Sequence, residues 1–208
     1  MPCITGDVVL VVLDLGCGAG CDLNAWGIAA SDKVVGIDID KTSLAIAKTR
    51  FCDRSYIQAS GACLPFKNGS FDRVIAAVSL PYMKIPQALG EVHRILVPAG
   101  RLSLSLHPPS FTAAELLHHA IPKAIPTIFR LYVIANGLVF HFSGRVVGFL
   151  KRRTESFQTE RGMRIALARA KFTDFSFRNG KGPFGKTFIV EARTSETGDA
   201  LPTTHAKA

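Results

Sequence analysis

Two segments near the start of this sequence could do chemistry together. Val12-Leu-Asp-Leu-Gly-Cys-Gly-Ala-Gly20 is an apolar run ending in three alternate glycines. Gly16, Gly18 and Gly20 let a backbone turn sharply and approach a ligand closely. A helix following such a turn would point its free N–H groups at the same place. Gly36-Ile-Asp38 ends a second apolar run about twenty residues on, where a carboxylate can accept both hydroxyls of a ribose. A glycine turn alone is a structural device. Paired with Asp38 it predicts a nucleoside site. The dinucleotide pattern G-x-G-x-x-G would place its third glycine at position 21, which is Cys21. The spacing here is G-x-G-x-G, with Asp14 two residues ahead of it, and an acidic group there suits a cation better than a pyrophosphate.

Other reactive side chains are sparse. The five cysteines, Cys3, Cys17, Cys21, Cys52 and Cys63, lie in the first third of the chain. An odd count without a secretory signal predicts reduced thiols and a cytoplasmic location. An iron–sulfur pattern C-x3-C-x2-C would need a third cysteine at position 24, which is Asn24, so Cys17 reads as a small packing residue and no metal is expected. His107 directly follows a strand pattern, at the edge where open α/β sheets place ligands, and is the best-placed candidate for a general base. A loop histidine bonded to backbone is the competing reading. His93 falls in a helical stripe and reads as structural, and His118 and His119 have no ligand spacing.

The elements needed to position these residues follow from the periodicity. Strand patterns occupy Val8–Asp14, Lys33–Asp38, Ser55–Ala59, Arg73–Val78 and Arg101–Leu106, with two more near Thr173–Phe177 and Thr187–Ala192. Helices are expected at about Cys21–Ala30, from an Asp40 cap to Arg50, from Pro86 through the stripe Leu89, Val92, Ile95, Leu96, and at Gln158–Ala170. Alternation of this kind predicts an α/β fold: a single doubly wound Rossmann-like domain with a mainly parallel sheet. The two final strands, with no helix between them, predict an antiparallel edge hairpin. The domain would span residues 1–194, with an insertion at 107–156 and a small, polar, disordered tail at 195–208.

At 208 residues and 48% hydrophobic the chain suits one globular domain. Its net charge of +9 favours anionic partners but says nothing of fold. No segment reaches the roughly 20 uninterrupted apolar residues of a membrane span. Ile121–Leu150 gathers Phe129, Tyr132, Phe140, Phe142 and Phe149 among Ile, Leu and Val. It reads as a helical lid over the site, or as a greasy channel or interfacial patch with Lys151-Arg-Arg153 touching anionic headgroups, that is, a peripheral membrane contact.

These segments resemble the class I S-adenosylmethionine-dependent methyltransferases, in the small-molecule subgroup similar to the quinone methyltransferases (the type 11 domain). Val12–Gly20 looks like their first motif and Gly36–Asp38 like their second. Ala62-Cys-Leu-Pro-Phe-Lys-Asn-Gly-Ser-Phe-Asp72 is similar to their "LPF…SFD" segment. Glu91-Val-His-Arg-Ile-Leu-Val-Pro-Ala-Gly-Arg-Leu resembles "E-x-x-R-V-L-K-P-G-G-R-L". The likeness covers residues 8–106, about half the chain. It implies seven strands in the order 3-2-1-4-5-7-6. It implies that Gly16, Gly18 and Gly20 line the methionine part, with Asp14 and the Ala77 backbone near its amino group. Asp38 would bind the ribose and Ile39 the adenine. The family's aspartate after strand three is here Ser60, followed by Gly61 and Ala62, so adenine recognition would lean on backbone and apolar contacts. Ser79-Leu-Pro-Tyr82 also resembles the Asn/Asp/Ser-Pro-Pro-Tyr motif of amino-group methyltransferases, but it lies two residues late and lacks the first proline.

The expected activity is transfer of a methyl group from S-adenosylmethionine to an O, N or C nucleophile of a small apolar or aromatic acceptor, with His107 or Tyr82 near the reacting atom. A nucleic-acid (RNA) methyltransferase is the first alternative, favoured by charge but lacking a recognisable RNA-binding module. A non-catalytic S-adenosylmethionine-binding partner subunit is the second, because the chain begins almost at strand one without the helix that often caps this site. A dehydrogenase is disfavoured by Cys21.

Overall fold

The computed structural model describes residues 9–21, 23–106, 124–147, 155–182 and 185–196. Seven strands form one sheet in the order β3-β2-β1-β4-β5-β7-β6. They are β1 (Val11–Leu15), β2 (Lys33–Asp38), β3 (Ser55–Gln58), β4 (Phe71–Ala77), β5 (Leu96–Leu106), β6 (Thr173–Gly182) and β7 (Gly185–Arg193). Strands β1 to β5 pair in parallel, and β7 runs antiparallel to both β5 and β6. The expected sheet, order and edge hairpin are all present.

The sheet core follows from residues that alternate between its two faces. Leu13, Val74, Leu102 and Leu104 point to one side and pack against α2 (Ile85–Ile95) and α4 (Glu160–Arg169). Val12 and Ile75 point to the other and pack against Leu23 and Ile28. Helix α2 has Pro86 in its first turn, and its stripe Ile85, Leu89, Val92 and Ile95 is fully buried. Helix α1 (Lys41–Arg50) starts where Asp40 accepts hydrogen bonds from the Thr42 and Ser43 amides. His93 stacks edge-on against Phe172, in the structural role expected of it.

Three expectations need correction. The helix expected at Cys21–Ala30 is only a 3-10 turn, Asn24–Trp26, because Gly27 takes a left-handed conformation and closes it after one turn. Among the described residues, the chain that follows the glycine turn therefore forms only this 3-10 turn. The fifth strand starts at Leu96 rather than Arg101: Leu96 already pairs with Phe71, and Ala99, at φ 60°, takes up the irregularity before pairing resumes at Arg73–Arg101. The last two strands are longer than the sequence pattern suggested, with paired register from Thr173–Arg193 to Gly182–Gly185.

Within the 107–156 insertion, α3 (Ala124–Ser143) is helical. Its inner side packs on α4, with Phe140 fully buried. Gly162 permits the approach, since a Cβ there would stand 2.6 Å from the Phe140 carbonyl oxygen. Gly162→Ala should therefore destabilise the protein by about 1–3 kcal/mol through overpacking, read from urea unfolding. Wild-type stability would mean that α3 does not sit this close to α4.

Candidate active site

The sheet reverses its strand order between β1 and β4, and beyond the carboxyl ends at such a switch point open α/β sheets form their ligand crevice. The turn leaving β1 lies there. Gly16, Gly18 and Gly20 have φ of 70°, 52° and 80°, in the left-handed region that side chains disfavour. A Cβ on Gly16 would strike Ser79 Cβ, and one on Gly20 would strike the Phe51 ring. One on Gly18 would meet nothing within 4 Å, so the surface over the turn's centre is open. The Gly20 amide donates to the Cys17 carbonyl and closes the turn.

Asp38 holds this turn to β2. Its Oδ2 accepts from the Gly18 amide at 2.8 Å, and its Oδ1 accepts from the Asp40 amide at 2.9 Å. A carboxylate has about four acceptor positions, so capacity remains toward the crevice. From the other side, Arg50 donates to the Ala19 and Gly20 carbonyls and Arg54 to the Cys21 carbonyl. The Arg54 guanidinium stacks over Phe51 at 4.1 Å. None of these three was singled out from the sequence; an arginine at a helix end carries no signal of where it reaches.

Asp14 lies in β1, two residues before the turn. It is buried, 2% exposed, and accepts one weak hydrogen bond from Cys21 Sγ at 3.9 Å. Burial pushes its carboxyl up to about 6, with Arg54 opposing part of the effect. Cys17 is also buried, and its thiol is pushed up to about 12 by burial and the neighbouring carboxylates, so it is an inert packing residue.

The remaining expected residues separate. Ile39 is 71% exposed beside Asp38, a large apolar side chain lying open at the crevice rim. Ser60 is exposed, and its Oγ accepts from the Ala62 amide. Gly61 is buried against Met83 and Leu15. Ala77 ends β4, paired with Ser105. Tyr82 is exposed in a short 3-10 turn, Leu80–Tyr82. Ser79 Oγ donates to the Leu15 carbonyl at 2.5 Å, so that hydroxyl joins the ends of β1 and β4. His107 lies outside the described residues.

The segments quoted from the sequence without an assigned role turn out to fix the loop that carries Gly61 and Ala62. Glu91 Oε2 accepts from the Leu64 amide. Arg94 pairs with Glu91 at 2.8 Å and donates to the carbonyls of Leu64 and Phe66 and to Asn68 Oδ1. The mutual contact pulls Glu91 below the usual carboxylate range. Asp72 Oδ2 accepts from the Val11 amide at 2.7 Å and fastens the start of β1.

Two predictions follow from these charges. Asp14 folds with a raised pKa, so the native state holds its proton more tightly than the unfolded chain. Stability then falls as pH rises from about 3.8 to about 6, a loss of about 3 kcal/mol complete above that window. Asp14→Asn should accordingly melt higher than wild type at pH 7, with the advantage fading toward pH 4; a lower melting temperature at pH 7 would make the carboxylate a structural group. Arg94→Ala should cost on the order of 2–4 kcal/mol, because two loop carbonyls lose a charged donor. Hydrogen exchange at 61–70 should quicken with it, and unchanged protection there would show that the loop holds itself.

Comparison with known proteins agrees with this geometry. A family model described as a methyltransferase domain matches residues 13–104. A demethylmenaquinone methyltransferase of Lactococcus lactis is 27% identical over 205 residues, covering 90% of this chain and 76% of that protein. A 2-phytyl-1,4-naphtoquinone methyltransferase of Thermosynechococcus vestitus is 34% identical over 110 residues, covering 50% of this chain and 49% of its own. The crystal structure of an S-adenosylmethionine-dependent methyltransferase from Methanosarcina mazei superposes with a TM-score of 0.62 at 18% identity, covering 90% of this chain and 93% of that one, and so has the same fold. The glycine turn, Asp14, Asp38 and the fastened "LPF" loop all lie within the matched segment, and over it the chain is similar to methyltransferases.

Proposed function

We propose that the β1/β4 crevice holds S-adenosylmethionine and directs its methyl group to an O, N or C nucleophile of a small aromatic acceptor of the quinone class. The observation that carries the cofactor site is Asp14: a carboxylate kept in a dry crevice, under a turn with open space above Gly18, suits a cationic ligand. The acceptor class is supported by the names of the two relatives.

In this reading Asp14 and the Ala77 backbone meet the methionine ammonium, and the backbone of Gly16, Gly18 and Gly20 lines the methionine part. Asp38 offers its remaining acceptor positions to the ribose hydroxyls. Ile39 covers the adenine, and Ser60, Gly61 and Ala62 border its edge. Bound S-adenosylmethionine supplies a sulfonium methyl that is already a good electrophile. The protein's work is then to orient the acceptor and exclude water, with Tyr82 and His107 on the acceptor side.

S-adenosylhomocysteine should raise the melting temperature by mass action, whereas NAD should not. A shift with NAD alone would refute the cofactor. Asp38→Ala should weaken S-adenosylhomocysteine binding roughly 10- to 100-fold by calorimetry, since hydrogen bonds to a charged group are worth about 1.5–3 kcal/mol. Because the ammonium favours ionised Asp14, wild-type affinity should fall as pH drops through about 6. Tight, salt-sensitive RNA binding without methylation of a short-chain naphthoquinol would replace the acceptor by nucleic acid.

A further inference from the structure

Helix α3 is apolar on two sides. Its inner side packs on α4 and on Phe157, with Asn136 and Phe140 buried. Its outer side carries Leu131, Leu138, Val139 and Phe142, exposed by 58, 50, 41 and 66%. With Ala135, also exposed, they fall at i, i+4, i+7, i+8 and i+11, a single stripe along the helix. Exposed apolar residues scattered singly need no explanation, but a continuous stripe of this length marks a binding surface.

The charge that this segment carries in the sequence says what covers the stripe. Residues 124–154 contain Arg130, Arg145, Lys151, Arg152 and Arg153 and no aspartate or glutamate. Arg145 is exposed just beyond the helix, and the guanidinium of Arg161 on α4 stands 5.7 Å over the Phe142 ring. The nearby acid on α4, Glu160, is paired with Arg164 at 2.6 Å. A second copy meeting this face across a two-fold axis would bring two sets of cations together. An anionic lipid surface instead offers acyl chains to the stripe and headgroups to the cations. No helix among the described residues is long and apolar enough to cross a membrane, so the helix would lie along the surface.

We infer that the outer face of α3 docks on an anionic lipid surface, where an apolar acceptor of the kind proposed above would be dissolved. The inference rests on that acceptor reading, and its test separates the two. The full chain is sedimented with vesicles of phosphatidylcholine alone and of phosphatidylcholine mixed with phosphatidylglycerol. Wild type should bind the anionic vesicles at least about tenfold more tightly, and added salt should weaken this binding. The double variant Leu138→Glu/Phe142→Glu should lose vesicle binding while keeping its melting temperature, its stabilisation by S-adenosylhomocysteine and its turnover of a short-chain, water-soluble naphthoquinol. Vesicle binding equal to wild type in the variant, or none in the wild type, overturns the inference. So does a wild-type dimer that the variant dissolves, since the face would then be covered by a second copy. Loss of naphthoquinol turnover in the wild type would strike the acceptor reading alone.

Discussion

One hydrogen bond, from the Gly18 amide to Asp38 Oδ2, joins the turn after β1 to the end of β2. Much of the site is built outward from it. The same carboxylate receives the Asp40 amide, and Asp40 in turn caps α1. At and beyond the other end of α1, Arg50 and Arg54 reach back to the carbonyls of Ala19, Gly20 and Cys21. Turn, strand, cap and helix therefore close a ring of contacts on themselves. The turn does not need a following helix to hold its shape, which is why the 3-10 turn Asn24–Trp26 suffices where the sequence pattern predicts a full helix. A ring of this kind holds Gly18 at a fixed distance from Asp38, so the groups proposed to face the methionine and ribose portions move together or not at all.

The ring encloses a charge the fold would be better without. Asp14 makes one weak hydrogen bond and is desolvated, so its ionised form opposes folding at neutral pH. Arg54 softens this by its field while its own hydrogen bond goes to the Cys21 carbonyl. A residue that weakens the apo protein and suits a cationic ligand stores part of the binding energy in advance: the cation restores what burial removed. Stability is surrendered at the place where selectivity is needed.

The fold was largely legible, because strand order and helix placement depend on hydrophobic periodicity and on turn residues that have local meaning. Val12-Leu-Asp-Leu-Gly, Gly36-Ile-Asp38 and the α2 stripe each declare their element within a few residues. The helix at Cys21–Ala30 was misread because the pattern of apolar residues continues past Gly27, whose left-handed cap outweighs them. In the candidate site, Asp14, the three glycines and Asp38 stand out in the sequence by residue type and spacing, and the structure gathers them at the carboxyl ends of β1 and β2. Arg54, Arg94 and Ser79 do not stand out, because their roles are contacts between segments 30 to 64 positions apart in sequence. Sequence spacing has no access to such distances.

Val78 shows how far this logic extends. It is the residue directly after β4, and it adopts φ 62°, a conformation that β-branched side chains disfavour by on the order of 1–3 kcal/mol. Its amide is held by the Ser105 carbonyl, and the next residue, Ser79, is tied to Leu15. Two hydrogen bonds to the neighbouring strands thus keep a strained residue where the chain leaves the sheet, opposite Gly16. Bending the chain there sets Ser79 against Gly16 and ties the end of β4 to the end of β1. In a reaction whose electrophile arrives activated, acceleration depends on where the acceptor is held rather than on a resident acid or base. The strand end fixed by two hydrogen bonds and the loop fastened by Glu91 and Arg94 give the proposed crevice walls that are costly to deform.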